Sequence, residues 1–191
     1  HASDYINTVS PTFLKEIVNG YFREQAIIPQ NMRNIISIRN DQGDAKGILN
    51  APVETADPRI DSMIPENFWF EESDFTDLYN GKRKNKKIFQ KEMRLTDDLE
   101  SPIIFWPSRI AYPQKGFELL NKTAREIMKK YPKVQIAVVA NGNPDLIKQF
   151  ESLAKSYTGR MSYRPFSRKL SQTGKAACDF LIMPSMYEPC G

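Results

Sequence analysis

Two short segments carry residue types that could act on a phosphorylated substrate. The first is Ser108-Arg109-Ile110-Ala111-Tyr112-Pro113-Gln114-Lys115-Gly116, which follows a short apolar run and opens an amphipathic stretch. A loop leading from a strand into a helix offers backbone N–H groups and the positive end of the helix dipole to an anion. Arg109 adds a planar fork that fits phosphate oxygens, and Lys115 adds a point charge. Together they suit a diphosphate whose negative charge grows as a bond breaks. The same spacing also fits a solvated Arg and Lys on a surface turn. The second segment is Pro184-Ser185-Met186-Tyr187-Glu188-Pro189-Cys190-Gly191. Here Glu188 could accept hydrogen bonds from sugar hydroxyls, and Gly191 would let backbone approach a ligand closely. Taken alone, this segment reads more simply as a turn carrying an exposed acid, with Cys190 a small packing residue.

The elements that must position these segments lie in the second half of the chain. Ile103-Ile104-Phe105-Trp106, closed by Pro107, reads as a buried strand. After Gly116, apolar residues recur at helical spacing from Phe117 to Met128, and Tyr131-Pro132 ends the pattern. Val134 to Ala140 is a second buried strand, stopped by Asn141-Gly142-Asn143-Pro144, and a helix should run from Pro144 to just before Gly159. A third strand is expected at Met161–Tyr163, a helix through Leu170 and Ala176, and a fourth strand at Phe180–Met183. Strands alternating with helices imply an α/β fold, a doubly wound, Rossmann-like parallel sheet covered on both faces. Ligands of such sheets bind beyond the carboxyl ends of the strands, where both segments fall.

The first half is less regular. Tyr5–Val9 reads as a strand, Ser10 as the N-cap of a helix from Pro11 to about Asn19, and Ile35–Ile38 as another strand. From Asn50 to about Tyr79 no period is sustained, so a loop or linker is expected. A helix over roughly Asn85–Arg94 should turn Ile88, Phe89 and Met93 inward and its lysines outward.

Composition narrows the function further. The chain has 191 residues, 40% of them hydrophobic and 26% charged, which is ordinary for a globular protein. No apolar run approaches the roughly 20 residues that span a bilayer, and no membrane partner is expected. The lone histidine is His1, so His-centred catalysis has no place in this segment. Cys178 and Cys190 make neither a disulfide framework nor a metal spacing, which points by default to a reduced, intracellular compartment. The net charge of +4 owes much to Lys82-Arg83-Lys84-Asn85-Lys86-Lys87. That run falls short of a nucleic-acid surface and reads as a solvated helix face. The start at His1 and the end inside the second segment suggest a piece of a longer protein.

The ordered motifs resemble the bacterial glycogen synthases and plant starch synthases, retaining glucosyltransferases of glycosyltransferase family 5 with two Rossmann-like domains, the GT-B fold. The matching pieces are Val9-Ser10-Pro11-Thr12 with Glu16-Ile17, Gly47-Ile48-Leu49-Asn50, Gly81-Lys82, Asn85-Lys86 and Ser108-Arg109. Gln114-Lys115-Gly116, Asp179-Phe180, Pro184-Ser185 and Glu188-Pro189-Cys190-Gly191 follow in the family's order. Two features depart from it. The loop between Arg109 and Lys115 is one residue longer than in many members, and Asn50-Ala51-Pro52 replaces a usual Asn-Gly.

The resemblance implies a C-terminal half of a GT-B enzyme, incomplete at its end. Residues 1–50 would hold the end of the N-terminal domain and the hinge strand, 51–80 a linker, and 81–191 the nucleotide-sugar-binding domain. The parent enzyme would transfer an α-glucosyl unit from ADP- or UDP-glucose to an α-1,4-glucan with retention, in the cytoplasm, or in the plastid of a plant or alga. By the same resemblance Arg109 and Lys115 grip the donor diphosphate, and Glu188 contacts the donor glucose. Cys190 and Gly191 line the pocket, and Phe166 lies near the nucleobase, unless it is a core aromatic. No metal and no cofactor are implied. The family's lysine-glycine-glycine loop and catalytic histidine belong to the N-terminal domain, so this piece alone is expected to be inactive. The competing reading is a non-catalytic module that holds a nucleotide or glucan.

Overall fold

The computed structural model describes residues 3–21 and 28–188. They fall into two compact units, one of residues up to Pro52 joined by Glu188, the other of Val53–Tyr187.

The first unit contains β1 (Ile6–Val9), α1 (Pro11–Asn19), α2 (Gln30–Asp41) and β2 (Ala45–Ile48). The two strands pair in parallel, Ile6 opposite Ala45 through Val9 opposite Ile48. Ser10 caps α1 by accepting from the Phe13 N–H, Pro11 fills its first turn, and Gly20 closes it in the left-handed conformation. The strand expected at Ile35–Ile38 is instead part of α2. An apolar run of this length has no period of its own and can be read either way. In the helix Arg33 and Ile36 face inward while Ile35 and Ile38 are exposed, the i, i+3 spacing of one face.

The second unit is built on a four-stranded parallel sheet. Its strands are β3 (Ile103–Trp106), β4 (Gln135–Val139), β5 (Met161–Arg164) and β6 (Phe180–Leu181), in the order β5-β4-β3-β6. The connecting helices are α4 (Phe117–Lys130), α5 (Pro144–Lys155) and α6 (Arg168–Ala177), and α3 (Thr76–Met93) precedes the sheet. Alternate residues of each strand serve opposite faces. Trp106, Ile136 and Val138 pack with Phe117, Leu120 and Met128 of α4 and Phe150 and Leu153 of α5. Ile103, Phe105, Ala137 and Val139 pack with Phe89 and Met93 of α3 and with Ala177 and Cys178 at the end of α6. Helices on both faces and a strand order that reverses beside β3 make the sheet doubly wound, as the sequence implied.

Two expectations need correcting. The basic helix begins at Thr76, inside the stretch read as linker, and two of its lysines turn inward. Lys86 is buried against Asp179, its Nζ 2.9 Å from the carboxylate. Lys82 donates to the carbonyls of Ala176 and Cys178 at the end of α6, both at 3.0 Å. Ile88, expected inside, is exposed. The lysine spacing alone gives no sign of this, because the partners lie more than 90 residues away. The last strand, expected over Phe180–Met183, is only two residues long, and Phe180 and Leu181 are 58% and 49% exposed at the sheet edge.

The close approach of α6 to the sheet depends on Gly174. A Cβ there would lie 2.5 Å from the Phe105 ring and 2.9 Å from Phe89. Gly174→Ala should therefore destabilise the protein by about 1–2 kcal/mol, overpacking outweighing the helix-propensity gain. Equilibrium urea denaturation measures this, and an unchanged or raised stability would contradict the contact.

Candidate functional site

All four strands of the second unit point their carboxyl ends the same way, so the loops following Trp106, Val139, Arg164 and Leu181 gather at one edge of the sheet. The strand order reverses between β3 and β6, and chains leaving neighbouring strands in opposite directions open a crevice there. The loops bounding it are 107–116 and 182–187.

The first of these is held by main-chain contacts at both ends. The Ile110 N–H donates to the Asn141 carbonyl at 2.9 Å, and the Asn143 N–H donates to the Ile110 carbonyl at 3.2 Å. Gly142 is needed for this pairing, since a Cβ would sit 2.3 Å from the Ile110 oxygen. Within the loop, Lys115 N–H donates to Ala111 C=O at 3.0 Å, and the Tyr112–Pro113 peptide bond is cis. The Met186 N–H then crosses from the second loop to the Gln114 carbonyl at 2.8 Å.

These contacts place Arg109 and Lys115 on one loop at the mouth of the crevice, Arg109 exposed and Lys115 half-buried. Gly116, in the left-handed region at φ 65°, starts α4 without any side-chain cap. The other two helix starts at this edge are capped by their own side chains, α5 by Asn143 and α6 by Ser167. The first turn of α4 thus keeps N–H groups for an acceptor from elsewhere.

Phe166 lies on the loop after β5 and is 52% exposed, so the core alternative for this residue does not hold. Its N–H donates to the Asn141 Oδ1 at 3.0 Å. Glu188 follows Tyr187 in the chain but groups with the first unit, and Cys190 and Gly191 lie outside the described residues. Among the described residues no cluster of His, Cys, Asp or Glu could hold a metal ion. Cys178 is a buried free thiol at the other end of the sheet, and burial pushes its pKa up.

Sequence reasoning missed Asn141. Its carbonyl holds the Arg109 loop and its side chain holds the Phe166 loop, so one residue sets the positions of both. The Asn141-Gly142-Asn143-Pro144 motif signalled only the end of a strand; its second use depends on loops that are distant in sequence. Tyr163 adds a further tie, its hydroxyl donating to the Ala140 carbonyl at 2.9 Å. Burial, and then the nearby Glu151 carboxylate, push the pKa of that phenol above its ordinary value.

Gly116 is the tightest point of the crevice. A Cβ on it would lie 1.9 Å from the Pro184 carbonyl oxygen. Gly116→Ala combines this clash with a positive φ and should cost roughly 2–4 kcal/mol. Thermal unfolding measures the loss, and amide exchange should quicken at Gln114 and Met186 first. Unaltered exchange there would contradict the contact.

No protein-family model matches the chain. Individual relatives do. The glycogen synthase of Bacillus cereus is 33% identical over 193 residues, covering 100% of this chain and 37% of its own length. That of Thermosipho africanus is 31% identical over 99% of this chain and 36% of its own length. The Streptococcus pneumoniae glycogen synthase is 30% identical over 97% and 36%. Among solved structures, the catalytic domain of starch synthase IV from Arabidopsis thaliana, bound to ADP and acarbose, superposes with a TM-score of 0.75 at 25% identity. It covers 99% of this chain and 36% of that one. An Anabaena protein, HepE, in complex with UDP and glucose shares the fold at a TM-score of 0.51 and 16% identity, covering 97% of this chain and 46% of its own. The chain thus spans little more than a third of the length of the glycogen synthases it matches. Matched along its whole length by glycogen synthases, and in fold by a starch synthase catalytic domain, the chain belongs to the glycogen and starch synthase family of GT-B glycosyltransferases.

Proposed function

We propose that the protein transfers an α-glucosyl unit from ADP- or UDP-glucose to the non-reducing end of an α-1,4-glucan with retention, and that its nucleotide-sugar-binding part is the sheet that ends in this crevice. The observation that carries the reading is the meeting of the Arg109–Lys115 loop, the uncapped start of α4 and the 182–187 loop where the strand order reverses. A site of that kind supplies two cations and backbone N–H groups to a diphosphate, the charge that accumulates when the glucosyl–oxygen bond breaks. The Arabidopsis and Anabaena structures hold ADP and UDP, which supports a nucleoside diphosphate as the group received.

In this reading Arg109 and Lys115 grip the diphosphate and stabilise it as it leaves. Glu188, with Cys190 and Gly191, belongs to the loop that surrounds the donor glucose, and Phe166 stands near the nucleobase. Residues 1–50 close an N-terminal domain, and the donor-binding domain takes in α3 from Thr76 onward and the four-stranded sheet. Glycogen synthesis of this kind takes place in the cytoplasm, or in the plastid in a plant or alga.

Isothermal titration with ADP-glucose and with UDP-glucose tests the donor site and chooses between the nucleotides. Arg109→Ala and Lys115→Ala should each weaken binding of the preferred donor at least about tenfold. In the full-length protein each should also lower kcat for glucose incorporation into glycogen by roughly 100-fold, the usual cost of removing one group that meets developing charge. Full affinity in both variants would sink the reading. Donor affinity without any turnover in the full-length protein would identify a binding module instead.

A further inference from the structure

The second unit has another concave site, at the amino end of its sheet. A cavity of about 400 Å3 opens between the first turns of α3 and the segments that lead into β3 and β6. Its volume is that of a small-ligand pocket. The length of β3, roughly 13 Å at four residues of extended chain, separates it from the crevice at the carboxyl end.

The lining sorts into two kinds of surface. Leu78, Tyr79, Leu99 and Pro102 supply an apolar wall; Tyr79 is 60% exposed, and the Arg83 guanidinium lies 5.2 Å from the centre of its ring and donates to its hydroxyl at 3.0 Å. Against it stand three cations, Lys82, Arg83 and Lys86, and two carboxylates, Glu100 and Asp179. Their pairing leaves one charge over. Arg83 Nη1 lies 2.7 Å from Glu100 Oε1, and Lys86 Nζ lies 2.9 Å from Asp179 Oδ2. Lys82 has no carboxylate at ion-pair distance among the described residues; its ammonium meets the carbonyls of Ala176 and Cys178. Carbonyl groups at a helix end carry only partial negative charge. A third N–H of Lys82 and most of a positive charge therefore remain, beside an apolar wall and partly shielded from water. An isolated charge in that setting favours an anionic partner.

We propose that this cavity binds a small organic anion, its single acidic group on Lys82 and its apolar or aromatic body against Tyr79, Leu99 and Pro102. The ligand carries one negative charge because only one cation is unbalanced. Its body is flat or compact because the wall is a single aromatic ring continued by Leu99 and Pro102. The site is separate from the donor crevice and takes up none of its residues.

Fluorescence titration with anilinonaphthalene sulfonate, an aromatic body bearing one sulfonate, tests this directly. The probe should bind saturably at one site per chain, and its uncharged counterpart phenylnaphthylamine about tenfold more weakly. Lys82→Met should lose the same factor. Because Lys82 also holds the end of α6, Tyr79→Ala provides a second variant that touches no core residue, and it should weaken the probe severalfold. Excess ADP-glucose should leave the probe in place. Equal binding of the charged and uncharged probes would overturn the proposal. So would displacement by ADP-glucose, or wild-type affinity in both variants.

Discussion

The carboxylate of Asp179 sets the geometry on which the second unit depends. Its Oδ2 accepts the first N–H of β3, from Ile103 at 2.7 Å, and the ammonium of Lys86 at 2.9 Å. Its own N–H returns to the Ile103 carbonyl at 3.1 Å. With only two residues of β6 paired in the ladder, this double tie fixes β6 beside β3 rather than at the far edge of the sheet. The reversal of strand order, and so the crevice, follows from that placement. Lys86 is almost fully buried while Asp179 is partly exposed, so the desolvation cost falls on the lysine. Removing its partner would leave a buried charge uncompensated, which costs far more than the pair contributes when intact.

The two ends of the sheet are closed by different chemistry. At the amino end side chains do the fastening: Asp179, and the buried pair in which Gln90 donates to Gln135 while Gln135 donates to the Thr96 carbonyl. At the carboxyl end, beside the side-chain ties of Asn141 and Tyr163, the loops are joined by main chain to main chain, through Ile110, Asn141, Asn143, Gln114 and Met186. These main-chain bonds anchor the Arg109–Lys115 loop. Main-chain anchors of this kind are the arrangement expected where a rigid scaffold presents functional side chains on loops.

Elements that bury one continuous face were legible from periodicity alone. For β3, β4, α4 and α5 the apolar pattern and the end signals agree, and Pro144, Asn143 and Gly116 mark boundaries that the structure keeps. The misreadings have a shared cause. Ile35–Ile38 is a short apolar run whose period is set by what packs on it, and Arg33 and Ile36 become one helical face only when α1 lies alongside. Lys82 and Lys86 read as solvent-facing because their acceptors are remote in the chain. The candidate site was legible in part: Arg109, Lys115 and their loop stood out by residue type, whereas Asn141 acts through contacts that no spacing records.

The Arg109–Lys115 loop is pinned at two points, Ile110 against Gly142 and Gly116 against Pro184, and both contacts are too close to admit a side chain on the glycine. Any residue gained or lost during descent must therefore be absorbed between Ala111 and Lys115. Length can drift there while the two anchors stay fixed, so the span between the cations is the part of the crevice left open to evolutionary tinkering.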